Sequence, residues 1–217
     1  FILAAEIMSV GAISMSLLRF ATQFVGHLRG GLGYANVISQ TLFAGISGSA
    51  LADAAGPGAM MTRMMEKGGY DRAYAGALTI SSAVVGPIIP PSITMIIYAL
   101  QDQNVSVGSL FMAGILPGLL ISCAMAGVNW WMSRKRNYIG RDPRPDRATM
   151  LRNTIHAIPS LLLIVLIVGG IRSGITTPTE ASVMAVFDAL LVSTRVYRSM
   201  GWRDLWIAAR RAAVMSV

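Results

Sequence analysis

Long apolar stretches separated by short clusters of charge are the feature that most restricts what this chain can become. Residues 73–100, 107–132, 155–171 and 178–194 contain no Lys or Arg, and their only carboxylates are Glu180 and Asp188. A helix needs about 20 predominantly apolar residues to cross roughly 30 Å of hydrocarbon. All four stretches reach or approach that length. A soluble domain carries about 25% charged residues, whereas here the charged share is 13% against 54% hydrophobic. The expectation is an all-α polytopic membrane protein.

The placement of cations orients the spans. Residues 133–153 hold Arg134, Lys135, Arg136, Arg141, Arg144, Arg147 and Arg152 against Asp142 and Asp146. Such a loop stays on the cytoplasmic side. Residues 101–106 hold no Lys or Arg and are expected on the opposite face. Lys67 and Arg72 bring the chain back to the cytoplasm before the first span, and Arg195, Arg198 and Arg203 do so after the last; Arg172 is the lone cation at the outer turn. The net charge of +8 therefore reads as membrane-flanking charge, and nucleic acid is excluded as a partner. The single cysteine, Cys123, rules out an internal disulfide and reads as a small packing residue.

One apolar segment does not fit as a simple crossing. Residues 31–66 are flanked by Arg29 before and by Arg63 and Lys67 at their end. A single crossing would strand one basic flank outside, and two need roughly 40 residues plus a turn. A re-entrant helical hairpin satisfies both limits. Its middle runs Gly45-Ile46-Ser47-Gly48-Ser49-Ala50-Leu51-Ala52-Asp53-Ala54-Ala55-Gly56-Pro57-Gly58. Glycines and a proline disfavour continuous helix there, and irregular backbone at membrane depth is tolerated only inside protein or beside water.

The span 73–100 carries a second interruption, Val84-Val85-Gly86-Pro87-Ile88-Ile89-Pro90-Pro91-Ser92. Its prolines remove amide donors and push the residues before them towards extended backbone. Carbonyls left without helical partners, with Ser81, Ser82, Ser92 and Thr94 close in sequence, make an oxygen-rich environment suited to a small cation. A hairpin tip and a broken helix facing one another are how secondary transporters build ion and substrate sites.

The runs GISGSALADAAGPGA and GYDRAYAGALTISSAVVGPIIPPSITMIIYAL resemble the large membrane subunit of TRAP transporters, the DctM-like family. FILAAEIM, GHLRGGLGYANV, LFMAGILPGLL and GGIRSGITTPTEASVMAV extend the resemblance along essentially the whole chain. It implies a bacterial inner-membrane secondary transporter subunit that imports a carboxylate, such as a C4-dicarboxylate, with sodium as coupling ion. It also implies a small DctQ-like membrane subunit, a periplasmic solute-binding protein and an elevator mechanism built on inverted repeats. The alternative is a related sodium/anion elevator symporter that needs no binding protein. No cofactor is implied, and the absence of HExxH, Walker and GxGxxG patterns argues against an enzyme.

The resemblance places a sodium site between the tip, Ser47, Gly48 and Ser49, and the backbone oxygens of Gly86, Pro87 and Pro90. Asp53, where the family also has Asp, and Ser92 are expected to face substrate or to cap helices. For Asp53, capping the second hairpin arm is the leading expectation and direct ligation the other. Residues 1–30 read as the end of a cut helix and an interfacial arm, with an amphipathic helix at 15–28, where Ser16, Arg19, Gln23 and His27 are mixed among apolar residues. By the resemblance, residues 31–100 belong to the transport domain (hairpin 31–66, broken helix 73–100), 101–154 hold a span and the basic loop, and 155–217 begin the second repeat. Phe1 and Val217 are both expected to lie at cut ends. Glu180, in Thr177-Pro178-Thr179-Glu180, reads as a helix start. Glu6 is expected to meet a cation or pack inside the bundle, His27 and His156 are not metal ligands, and Asp188 has no functional reading.

Overall fold

The computed structural model describes residues 2–10, 12–101, 105–140, 146–197 and 200–215, and its ordered elements are all helical. The elements are α1 (Ile2–Val10), α2 (Ala12–Val25), α3 (Gly31–Ser47), α4 (Ala50–Asp53), a π-helical turn (Ala54–Gly58), α5 (Ala59–Lys67), α6 (Arg72–Ala83) and α7 (Ile93–Gln101). There follow α8 (Val107–Lys135), α9 (Arg147–Arg172), α10 (Pro178–Leu191) with a π-helical end (Val192–Val196), and α11 (Trp202–Met215). By length and composition α8 and α9 can each cross a bilayer, and α1 and α2, bent by 69°, would together make a third span.

Residues 31–67 form a closed hairpin. The first arm, α3, ends at Gly48, whose φ of 61° is left-handed and whose N–H returns to the Ala44 carbonyl. Ser49 then caps the second arm by accepting from the Ala52 N–H. The arms run back to a common base: Asn36 of α3 reaches Met65 of α5, and the Tyr70 hydroxyl faces the first-turn backbone N–H groups of Leu32 and Gly33. The break is narrower than the small-residue stretch led one to expect, because only Gly48 and Ser49 are non-helical. Pro57, which lacks an N–H and crowds the preceding turn, is accommodated by the π-helical turn within an otherwise continuous second arm.

The interrupted span breaks where its prolines stand. α6 starts at Arg72 behind an Asp71 cap, which accepts from Tyr74 N–H at 3.1 Å, and helix is lost from Val84 to Ser92. Asp71 and Arg72 are thus the cap and first residue of α6. The irregular segment lies on α8, where a Cβ on Gly114 or Gly118 would fall 2.3 Å from the Ile88 carbonyl oxygen or 2.4 Å from the Ile89 side chain. Two glycines one turn apart therefore let the irregular backbone lie close against α8.

At the hairpin base Tyr70, Tyr74 and Tyr138 stack, with Tyr70 and Tyr138 centroids 4.2 Å apart. Asn129 of α8, fully buried, donates to the Gly30 carbonyl at 3.1 Å and accepts from the Tyr74 hydroxyl at 3.0 Å. A larger apolar core joins α1, α2, α3, α9, α10 and α11 through Ile7, Ile13, Leu17, Leu163, Ile167 and Ala208.

Three expectations are corrected here. The helix expected to lie at the interface over 15–28 is α2, an interior element: Ile13, Leu17, Leu18 and Ala21 are buried, as are Ser14, Ser16 and Gln23. It packs against α3 and α9. The basic connection is shorter than 133–153, since α8 continues to Lys135 and α9 begins at Arg147; Arg141, Asp142 and Arg144 lie outside the described residues. Helix in the last span continues past 194, in π-helical form, to Val196. At its start, Thr177 and Glu180 form a reciprocal capping box with proline in the first turn, as the Thr-Pro-Thr-Glu order predicts.

Candidate functional site between the two helix breaks

The hairpin tip and the proline-rich break meet, and glycine at two positions makes the contact possible. A Cβ on Gly48 would lie 2.5 Å from the Pro91 carbonyl oxygen and 3.0 Å from the Ile93 nitrogen. A Cβ on Gly86 would lie 2.9 Å from the Ala50 nitrogen and 3.0 Å from both the Ser49 carbonyl carbon and Asp53 Oδ2. Each break thus supplies the glycine against which the backbone of the other rests. Ser47, Gly48, Ser49, Asp53 and Gly86 are brought into one small volume.

The donors and acceptors within that volume are unevenly used. Ser47, buried, accepts from the Ser49 N–H at 3.1 Å and faces the Asp53 carboxyl. Asp53 is 1% exposed, and its Oδ2 has no hydrogen-bond partner. Burying an unpaired carboxylate oxygen is costly, so a buried orphan of this kind calls for a proton or a cation. The cap of the second arm is Ser49, and Asp53 stands one turn inside it. The capping expectation for Asp53 is therefore corrected: the Ser49 hydroxyl already serves the Ala52 amide.

On the facing side Pro87 is engaged differently from Gly86 and Pro90. The Pro87 carbonyl accepts from the Ser92 hydroxyl at 2.6 Å and from the Thr94 hydroxyl at 3.2 Å. Ser92, fully buried, also accepts from the Met95 N–H at the start of α7. Among the described residues, no hydrogen bond reaches the Gly86 or Pro90 carbonyl. Ser82 is buried with an unpartnered hydroxyl, whereas Ser81 is exposed and turned away.

Sequence reasoning missed the polar seam that holds the arms on α6. Asn36 donates to Thr79 Oγ1 at 2.7 Å, Thr79 lies 3.0 Å from the Thr62 hydroxyl, and Gln40 and Asn36 each keep a buried oxygen without a partner. Their signal in the sequence is polar side chains within an apolar hairpin, which mark interior-facing positions. Glu6, 6% exposed with Oε2 unpartnered, borders a cavity of about 620 Å³ between α1, the second arm (Ala52, Ala55, Gly56) and α11 (Trp206, Arg210, Arg211). Arg211 is close enough to act on the Glu6 charge, the cationic neighbour anticipated for it.

Comparison with known proteins fits this geometry. Residues 1–217 match the family model for the "Tripartite ATP-independent periplasmic transporter, DctM component". The chain is 40% identical over 209 residues to the 2,3-diketo-L-gulonate TRAP transporter large permease protein YiaN of Escherichia coli, covering 95% of this chain and 48% of that protein. It is 39% identical over 200 residues to the sialic acid TRAP transporter large permease protein SiaM of Vibrio cholerae, covering 92% and 46%. To the C4-dicarboxylate TRAP transporter large permease protein DctM of Rhodobacter capsulatus it is 36% identical over 221 residues, covering 94% and 49%. The chain spans about half the length of these relatives. A family-model match over its full length, with relatives 36–40% identical over more than nine-tenths of it, makes this chain a member of the DctM component family of tripartite ATP-independent periplasmic transporters.

Proposed function

We propose that this chain is part of the large membrane subunit of a sodium-coupled transporter that imports a carboxylate delivered by a periplasmic binding protein. A small membrane subunit completes the assembly in the bacterial inner membrane. The carrying observation is the convergence of two helix breaks on a buried carboxylate oxygen with no hydrogen-bond partner. Sodium is the occupant of that convergence. Ser47, Asp53 and the tip backbone at Gly48 and Ser49 contribute from one side, and the carbonyls of Gly86 and Pro90 from the other. Pro87, whose carbonyl is taken by Ser92 and Thr94, shapes the break and stands further from the ion's ligand set. Hard carbonyl, hydroxyl and carboxylate oxygens suit such a cation. In this reading the hairpin is re-entrant from the cytoplasmic side and moves with α6 and α7 as one elevator unit. The relatives' names, which cover a diketogulonate, sialic acid and C4-dicarboxylates, support a carboxylate as the substrate class.

The test is the sodium dependence of uptake by the complete transporter in proteoliposomes. Ser47→Ala removes one neutral ligand and Asp53→Asn removes the charge at nearly constant volume. Both are expected to raise the sodium concentration for half-maximal uptake, Asp53→Asn by about tenfold or more, given roughly 1.5–3 kcal/mol for an interaction with a charged partner. Ser39→Ala is the control, since Ser39 donates to the Asn36 carbonyl within the first arm. Assembly is followed by size-exclusion chromatography. Unchanged sodium dependence in an assembled Asp53→Asn protein refutes the site.

A further inference from the structure

The start of the hairpin and the basic end of α8 enclose a second site. A groove of about 450 Å³ lies between them, lined by Leu28, Arg29, Tyr34, Trp130, Ser133 and Arg134. It contains two guanidinium groups and no carboxylate. Two nearby cations are neutralised: Arg72 pairs with Glu66 at 3.4 Å and Arg136 with Asp71 at 3.1 Å. Among the described residues, neither Arg29 nor Arg134 has an acidic partner. Arg29 is held by the Asn137 side-chain oxygen, and the Arg134 guanidinium lies 4.2 Å above the Trp130 ring. Both are thereby oriented, with donors left over for an anion.

The position of the groove identifies the kind of anion. α8 has 29 residues, about 43 Å at 1.5 Å per residue, which exceeds the roughly 30 Å hydrocarbon core. Its last turn must therefore reach the headgroup region. Trp130 and Trp131, half exposed beside Arg134 and Lys135, mark that boundary. Along the exposed side of α8 towards the bilayer centre, Gly127 leaves open space and is followed by exposed Leu120 and Leu116. A cationic, aromatic-walled groove thus opens onto an apolar strip. A soluble anion has no use for the strip, and an uncharged lipid leaves the two guanidiniums unpaired.

We propose that this groove binds the phosphodiester headgroup of an anionic glycerophospholipid, whose acyl chains lie on the exposed strip of α8. The guanidiniums of Arg29 and Arg134 offer paired N–H donors to the two unesterified phosphate oxygens, and the Tyr34 hydroxyl is at hand in the same wall. Because Arg29 precedes the first hairpin arm and Arg134 sits on α8, the lipid bridges the two elements at the membrane surface. The site is separate from the sodium site, and either can fail without the other.

The complete protein, purified and stripped of lipid, is titrated with phosphatidylglycerol, phosphatidylcholine or inorganic phosphate and followed by native mass spectrometry. Phosphatidylglycerol is expected to bind in preference to phosphatidylcholine and to resist displacement by inorganic phosphate. Arg29→Gln together with Arg134→Gln should weaken phosphatidylglycerol binding on the order of tenfold and leave phosphatidylcholine unchanged. Arg147→Gln with Arg152→Gln, exposed cations at the start of α9, should change neither. Arg134→Lys should fall in between, because the charge stays and the planar fork is lost. If the double variant does not assemble, Arg29→Gln alone, in a loop, gives the same reading. Equal affinity for the two lipids, insensitivity to these variants, displacement by inorganic phosphate, or cross-linking of Trp130→Cys to an acidic segment of the small membrane subunit would each overturn the proposal.

Discussion

Three glycines of one fold illustrate how differently single residues are constrained. Gly86 and Gly48 stand where another backbone passes within van der Waals contact, and Gly48 also has a left-handed φ of 61°. Gly76, on α6, has nothing within 4 Å of where its Cβ would stand. Overpacking a close contact costs about 1–3 kcal/mol, while Gly→Ala in an open helix position gains up to about 1 kcal/mol. Gly86→Ala is therefore expected to destabilise the complete protein and impair sodium-dependent uptake, and Gly76→Ala to leave uptake intact with equal or higher thermal stability. Thermal unfolding in detergent and uptake assays check both. A neutral Gly86→Ala would mean that the breaks do not touch as described. Asp53 is the complementary case: its presence near the tip was legible in the sequence, but its unpartnered oxygen was not, because Ser49 took the cap.

Elements hold their places here through a few buried polar contacts as well as apolar packing. Asn129 ties α8 to the entrance of the hairpin at Gly30 and to α6 through Tyr74. The approach is so close that a Cβ on Gly33 would sit 1.9 Å from Asn129 Oδ1. Removing one partner of a buried hydrogen bond costs about 1–3 kcal/mol. Asn129→Ala strands the Tyr74 hydroxyl and cuts the tie to Gly30, whose carbonyl keeps the Gly33 and Tyr34 N–H groups, so a loss within that range is expected, read as a lowered unfolding temperature. Tyr74→Phe removes only the hydroxyl and should cost less. Equal stability of Asn129→Ala and the parent chain would show that apolar packing alone fixes the hairpin base. In the sequence Asn129 is one polar residue before two tryptophans, and nothing local reveals that it serves two other elements.

For the whole molecule the decisive question is which side each connection faces. If the hairpin enters and leaves on one side, cysteines at Arg29 and Arg72, both exposed, should be labelled by membrane-impermeant thiol reagents only from the cytoplasmic side. A cysteine at Gln103, in the connection free of Lys and Arg, should be labelled only from the other side. The parent Cys123 is replaced by serine for this measurement. Labelling of Arg29→Cys and Arg72→Cys from opposite sides would make the hairpin a true crossing. The all-helical membrane class and its two long spans follow from composition and run length, and the basic connection was visible as a cluster of Arg and Lys. The burial of α2 was not visible, because an apolar face at helical spacing looks the same whether it meets lipid or protein.

What the sequence determined by itself was therefore whatever depends on a residue's own torsions and donors. Pro87, Pro90 and Pro91 break a helix wherever they stand, and Gly48 permits a left-handed turn. Thr177 and Glu180 close a capping box within four residues. The tertiary structure alone decided what these breaks are for. Gly48 meets Pro91 and Gly86 meets Ser49 and Ala50 across segments separated by a whole arm and a helix. The reason is physical: a break exposes backbone locally, but where that backbone lands is set by the packing of α3, α5, α6 and α8 against one another. That packing rests on contacts such as Asn36 to Thr79 and Asn129 to Gly30, whose partners lie too far apart in the chain for any local pattern to announce them.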